Sequence, residues 1–241
     1  MLESEAPGPN HGERTFDRAA PASGAHPASR VPAAGSRTIG VLISGRGSNL
    51  QALIDAAVAG AVDARIAVVI SNKPGAAGLD RARAAGIEGL VLDHRGYPSR
   101  DDFDRAVVAA LQARGVSLVC LAGFMRLIGA PLLDAFPDAI LNVHPSLLPA
   151  FPGVDAQQQA FDHGVKVTGA TVHLVTGELD GGPIIVQSAV PVIDGETVEQ
   201  LAARILVEEH RIYPEAVRTI CQGGWRIDGR RFTTRAESRG I

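Results

Sequence analysis

The chain is expected to form an α/β fold: an open, mostly parallel twisted sheet with helices on both faces and antiparallel strands in its C-terminal half. From Thr38 onward, short β-rich apolar runs alternate with helically spaced segments, the order that builds a parallel sheet with crossover helices. Rich in Val, Ile and Leu, the runs read as buried strands, as a sheet covered on both faces requires. After Gly164 two such runs stand too close together for a helical crossover, which calls for an antiparallel pair.

The first strand is "TIGVLIS" (38–44), followed by helical spacing over 48–59. "ARIAVVIS" (64–71) and a helix over 76–85 come next, then "GLVLD" (89–93) and a helix over 100–114. "SLVCLAG" (117–123), a short helix over 130–136 and "AILNVH" (139–144) complete the parallel part. "VKVTGATVHLV" and "PIIVQSAVPV" supply the antiparallel strands. The segment 197–222 fits a last helix, which Pro214 is expected to kink or divide. Near the end, "GWRIDGRRFTT" predicts a small hairpin around Asp228 and Gly229. Residues 1–37, rich in Ala, Pro, Gly and Ser with mixed charges, bury too little apolar surface to offset their ordering entropy and are expected to be a disordered tail. Residues 38–241 then form one domain.

With 241 residues, 46% hydrophobic, the chain can bury a sizeable core. Its net charge of −3 provides no global basic field, which argues against nucleic acid and for a small-molecule substrate. Cys120 and Cys221 are far apart and lack metal-ligand spacing; they read as reduced thiols of a cytoplasmic protein. No stretch suggests a membrane span, and "MLESEAPGPN" has no apolar core of the kind a signal peptide needs.

In open α/β sheets, ligands bind beyond the carboxyl ends of the strands. "SGRGSNL" (44–50) lies between the first strand and first helix. Gly45 and Gly47 permit a tight turn, and the N–H groups of Gly47, Ser48 and Asn49 open the helix as unpaired donors at its positive end, a seat for phosphate. The plainer reading makes Ser48 an ordinary N-cap. Leu50 replaces the third Gly of a dinucleotide fingerprint, so a single phosphomonoester is favoured over NAD or ATP.

"LNVHPSLLPAFPG" (141–153) raises a second signal. Asn142 and His144, two residues apart on a strand, share one face. An amide donor beside an imidazole suits acyl transfer, whose tetrahedral intermediate carries an oxyanion. "TGELDGGPI" (176–184) offers a carboxylate, Asp180, able to orient the imidazole and raise its pKa from ~6.5, keeping His144 protonated near neutrality. Alternatively, Asp180 only caps a hairpin turn; spacing alone leaves both open. There is no G-x-S-x-G elbow, and His94, His163, His173 and His210 form no H-x-x-x-H pattern. No metal is expected, and direct attack by a substrate group is the simplest scheme.

"LISGRGSNLQALIDA", "VVISNKPGAAGLDRARAAGI", "LAGFMRLI", "LNVHPSLLP", "ELDGGPII" and "EEHRIYP", in this order, resemble the folate-dependent glycinamide ribonucleotide formyltransferases of purine synthesis over about Ile39 to Arg218. The resemblance implies a Rossmann-like formyltransferase fold and attack by the amine of glycinamide ribonucleotide on the formyl carbon of 10-formyltetrahydrofolate. It implies that His144 is the general acid, that Asn142 holds the formyl oxygen in the folate site, and that Asp180 supports charged His144. Gly47, Ser48 and Asn49 match the phosphate contact, and Glu209 a carboxylate on the ribose hydroxyls. Met125, Arg126, Leu127 and Ile128 match the folate pocket, and Arg100 a basic residue near the folate's glutamate tail. Without the resemblance, "LVCLAGFMRLI" reads as core and Arg100 as a solvated helix start. Where related sequences often carry histidines, this one has Asp155 and Gln157, in a loop whose contacts stay open. The implied partners are the two small molecules, with no nucleic acid and no membrane, in a monomer or homodimer.

Three neighbouring readings fit less well. A methionyl-tRNA formyltransferase would need a C-terminal domain beyond Cys221, and a formyltetrahydrofolate deformylase an N-terminal regulatory domain that residues 1–37 are too short and polar to supply. A non-catalytic nucleotide-binding protein has no need of Asn142, His144 and Asp180 together.

Overall fold

A computed structural model describes residues 35–234. All but the last three residues of the expected tail therefore lie outside the described residues, and the first strand begins one residue earlier than expected, at Arg37. The elements are β1 (Arg37–Ile43), α1 (Ser48–Val58), β2 (Ala64–Ser71), α2 (Gly78–Ala84), β3 (Glu88–Val91), α3 (Arg100–Gln112), β4 (Leu118–Leu121), α4 (Ala130–Ala135) and β5 (Ile140–His144). There follow α5 (Ala156–Asp162), β6 (Val167–Leu174), β7 (Ile184–Pro191), α6 (Val198–Gln222), β8 (Trp225–Asp228) and β9 (Arg231–Thr234).

All nine strands join one sheet in the order β3-β2-β1-β4-β5-β6-β7-β9-β8. The first five pair in parallel. At β5 the direction changes: β6 pairs antiparallel with β5 and β7 antiparallel with β6. The terminal hairpin of β8 and β9 forms as expected and joins the sheet through Ile184 and Arg231.

Successive residues of β1 serve two cores, as strand alternation requires. Val41 and Ile43 pack with Leu50 and Leu53 of α1 and with Leu201, Ile205 and Tyr213 of α6. Leu42, between them, packs on the other face with Phe103, Val107 and Leu111 of α3. The Tyr213 hydroxyl is shared between the carbonyls of Leu121 and Leu141, at 3.0 and 3.2 Å, which ties α6 to the ends of β4 and β5.

Of the two outcomes expected at Pro214, division does not occur: α6 runs through it for 25 residues. A Thr197–Gln200 capping box opens the helix, and the face carrying Leu201, Ile205, Ile212, Tyr213, Val217 and Ile220 is buried along its length, so packing outweighs the single backbone bond that proline removes. The region after Gly153 is not simply a loop. Residues Ala156–Asp162 form α5, with Ala156 and Ala160 buried one turn apart.

Candidate active site

β5 places Asn142 and His144 on one face, because Leu141 and Val143 turn the other way into the core shared with α6. Across the β5–β6 ladder, Asn142 stands opposite His173 and His144 opposite Thr171. The His173 ring nitrogen Nδ1 lies 2.9 Å from the Leu174 carbonyl. A carbonyl only accepts, so Nδ1 carries the proton and Nε2 keeps its lone pair. That lone pair accepts one N–H of the Asn142 amide at 3.2 Å. Asn142 is thereby oriented with its second N–H still available.

His144 is 5% exposed. Its Nε2 donates to the Phe151 carbonyl at 2.8 Å, and its Nδ1 stands 3.5 Å from Asp180 Oδ2. Asp180 also stands 3.6 Å from His173 Nε2 through its other oxygen, and accepts the Gly153 N–H at 2.8 Å. A Cβ on Gly182 would overlap the Leu174 carbonyl oxygen. Glycine there allows the 176–183 segment to press against the end of β6 and brings Asp180 between two imidazoles. The three residues named from sequence meet in space, and His173 joins them. Its sequence signal was the same as that of His144, a histidine interrupting an apolar strand, but cross-strand register is invisible in a linear chain.

The expected pKa shift of His144 is reversed. Burial, the largest influence, pushes it below the usual 6.5, against the pull of the Phe151 carbonyl and of Asp180, and His173 pushes it down further. For Asp180, desolvation is the largest single influence and raises the carboxyl, but the Gly153 N–H and the two imidazoles beside it outweigh burial and hold it below the ordinary carboxylate value. His144 is therefore neutral near pH 7 and Asp180 ionised. An NMR titration of the His144 ring is expected to give a midpoint below 6.5. Asp180→Asn should lower it further, since the carboxylate charge raises it; a midpoint that rises would overturn this electrostatic account. Because the unfolded chain binds this proton more readily than the folded one, the His144 contribution to stability is complete above about 6.5 and shrinks as the pH falls below it.

The loop before α1 leaves the start of that helix without a side-chain cap. Gly47, not Ser48, is the N-cap, in the left-handed region at φ 71°, and no side chain caps the first turn, so its leading N–H groups have no side-chain acceptor. A Cβ at Gly47 would stand 2.6 Å from Gly78 Cα, so the loop packs directly on the start of α2. Asn49 Nδ2 donates to Glu209 Oε2 at 2.7 Å, which joins the loop to α6. Burial raises the Glu209 carboxyl, partly offset by that bond. Sequence reasoning missed the groove beside the loop: about 480 Å³, it is lined by Ser48, Gln51, Asp55, Arg81 and His210 among others, with Arg81 as its cation. Arg81 is fixed there by donating to the Arg46 carbonyl at 2.9 Å. The His210 Nε2 atom is buried without a partner.

The 124–129 segment follows β4 in an alternating pattern. Phe124, Arg126 and Ile128 are half-buried, while Met125 and Leu127 are 72% and 59% exposed. Met125 and Leu127 are therefore not core residues, the plainer of the two readings for this stretch. The Arg126 guanidinium stacks on Phe103 at 5.2 Å from the ring centroid. Arg100, exposed, is the first residue of α3, whose N-cap is Ser99; the geometry leaves it solvated. Among the described residues no group of His, Cys, Asp and Glu is placed to hold a metal ion, and no helix is long and apolar enough to cross a membrane.

Residues 37–217 match the family described as formyl transferase. Phosphoribosylglycinamide formyltransferase of Escherichia coli (strain K12) is 42% identical over 190 residues, covering 79% of this chain and 87% of that protein. The trifunctional purine biosynthetic protein adenosine-3 of Bos taurus is 48% identical over 189 residues, 78% of this chain; the match spans 19% of that longer protein. Among solved structures, glycinamide ribonucleotide transformylase 1 from Symbiobacterium toebii superposes with a TM-score of 0.82 at 59% identity, covering 83% of this chain and 94% of that one.

Proposed function

The chain belongs to the formyl transferase family, among its phosphoribosylglycinamide formyltransferases, and on that premise we propose that it moves the formyl group of 10-formyltetrahydrofolate onto the amine of glycinamide ribonucleotide, in purine synthesis in the cytoplasm. One observation carries the chemistry: a half-buried amide with a spare N–H, a buried neutral imidazole and an ionised carboxylate converge on one strand face.

In this reading the amine nitrogen bonds to the formyl carbon while the carbonyl π pair moves onto oxygen. The spare N–H of Asn142 donates to that oxygen, and His173 holds the amide in place. The attacking nitrogen, now an ammonium, must lose a proton, and N10 of the folate must gain one as the oxygen's pair re-forms the carbonyl and the carbon–N10 bond breaks. Neutral His144 takes the proton at Nδ1, where Asp180 faces it and stabilises the imidazolium, and then passes it to N10. Negative charge growing on the oxygen makes that uptake easier, so a pKa depressed by burial is compatible with a proton-carrying role. Gly47, Ser48 and Asn49 receive the phosphate and Glu209 the ribose hydroxyls. Met125, Arg126, Leu127 and Ile128 receive the folate, and Arg100 faces its glutamate tail. No metal is needed, and a monomer or homodimer suffices.

The test is folate product measured by absorbance after mixing the full chain with 10-formyltetrahydrofolate, with and without glycinamide ribonucleotide. Product that depends on the ribonucleotide supports the reading. Equal product without it makes the protein a hydrolase, and no product in either case removes the assignment. For the phosphate seat, Ser48→Asp should raise the KM for the ribonucleotide by about tenfold or more, because it sets a negative charge at the anion site. An acid in the first helical turn favours the helix itself, so the melting temperature should hold. An unchanged KM would remove the loop from the site.

A further inference from the structure

Two buried side chains hold the ends of the 124–129 segment, and neither belongs to the site described above. At one end, Ser44, 5% exposed at the close of β1, accepts the Met125 N–H at 2.9 Å through its hydroxyl oxygen, while its own N–H donates to the Gly123 carbonyl at 3.1 Å. Its hydroxyl proton goes to Asn72 Oδ1 at 2.6 Å, which fixes the direction of the lone pair that Met125 uses. At the other end, Asp104 on α3 is 2% exposed and accepts the Gly129 N–H at 2.7 Å. Burial pushes the Asp104 carboxyl above the usual range, only partly countered by this bond and by Arg100 and Arg126. Opening the contact would leave a buried acceptor and the Gly129 N–H without each other, which is what holds the pair together.

Gly129 fits this contact closely. Its φ is −98°, so backbone conformation does not demand glycine. Space does: an added Cβ would stand 2.7 Å from Asp104 Oδ2. Between the two clamps Phe124 stacks on Phe103 with centroids 6.5 Å apart, and Arg126 lies over the same ring. The strip is thus pinned at both ends and along its inner side.

We propose that Asp104, together with Ser44, is a positioning residue that pre-sets the Met125–Ile128 backbone as a rigid strip for the flat heteroaromatic end of the donor. This rests on the reading of that segment as the folate site. A strip ordered before binding spares the ligand the entropy of ordering it, so loosening one clamp weakens the donor and leaves the acceptor untouched.

Calorimetry on the full chain with tetrahydrofolate and, separately, with glycinamide ribonucleotide reads this directly. Asp104→Ala should weaken tetrahydrofolate about tenfold, with ribonucleotide affinity within about twofold. Asp104→Asn keeps an acceptor oxygen and should recover to within about threefold of wild type. Gly129→Ala disturbs the same contact from the other side and should reproduce the Asp104→Ala pattern, which keeps the test available if Asp104→Ala does not fold. The inference fails if these variants leave tetrahydrofolate binding unchanged, weaken both ligands equally, or if Asp104→Asn does not recover. A wild-type chain that binds no tetrahydrofolate would instead sink the donor site itself, and the clamp with it.

Discussion

His144→Ala is expected to lower kcat by about 10²- to 10⁴-fold, the range for loss of a positioned acid–base group, with the KM for glycinamide ribonucleotide within about threefold of wild type. The side chain is buried, its Nε2 is committed to the Phe151 carbonyl, and its Nδ1 faces Asp180 at 3.5 Å. Alanine leaves no atom there that can hold a proton. Asp180→Ala should act in the same direction and less severely, since the carboxylate works through the imidazole. Steady-state kinetics over both substrates decide the matter: retained kcat in both variants ends the catalytic assignment, and a loss confined to KM would make His144 a binding residue.

Asn142→Ala carries the next largest expected effect, a fall in kcat of about 10²- to 10³-fold, as for loss of one oxyanion donor. The amide gives one N–H to His173 and keeps the other, so truncation removes the free donor and leaves the His173 lone pair without a partner. Asn142→Asp preserves size but replaces the donor with an acceptor, and should recover nothing. Wild-type turnover in Asn142→Asp would mean that no oxyanion is stabilised by this side chain.

Much of the architecture is legible along the chain because strands and helices of this kind carry local periodicity. The eight-residue strand Ala64–Ser71 appears where its apolar run predicts it, and the β6–β7 pair follows from spacing alone. Where local rules left alternatives, packing chose between them: proline chemistry argued for a kink or a break at Pro214, and a long buried face carries α6 across it without a break. α5 went unread because its seven residues offer only two buried alanines. In the site, Asn142 and His144 were legible as a pair because both lie on one strand.

By itself the sequence determined the α/β class, the glycine-rich turn ahead of α1 and the Asn142–His144 pair, all set by interactions between residues close in the chain. Only the tertiary structure decided the rest. It set Asp180 between His144 and His173, fastened Asn49 to Glu209 160 residues away, and brought Arg81 and His210 to the groove beside Ser48. It also settled the direction of the His144 shift. A neighbouring carboxylate can be guessed from a motif, but desolvation depends on everything packed around the ring, and here burial outweighs the charge of Asp180.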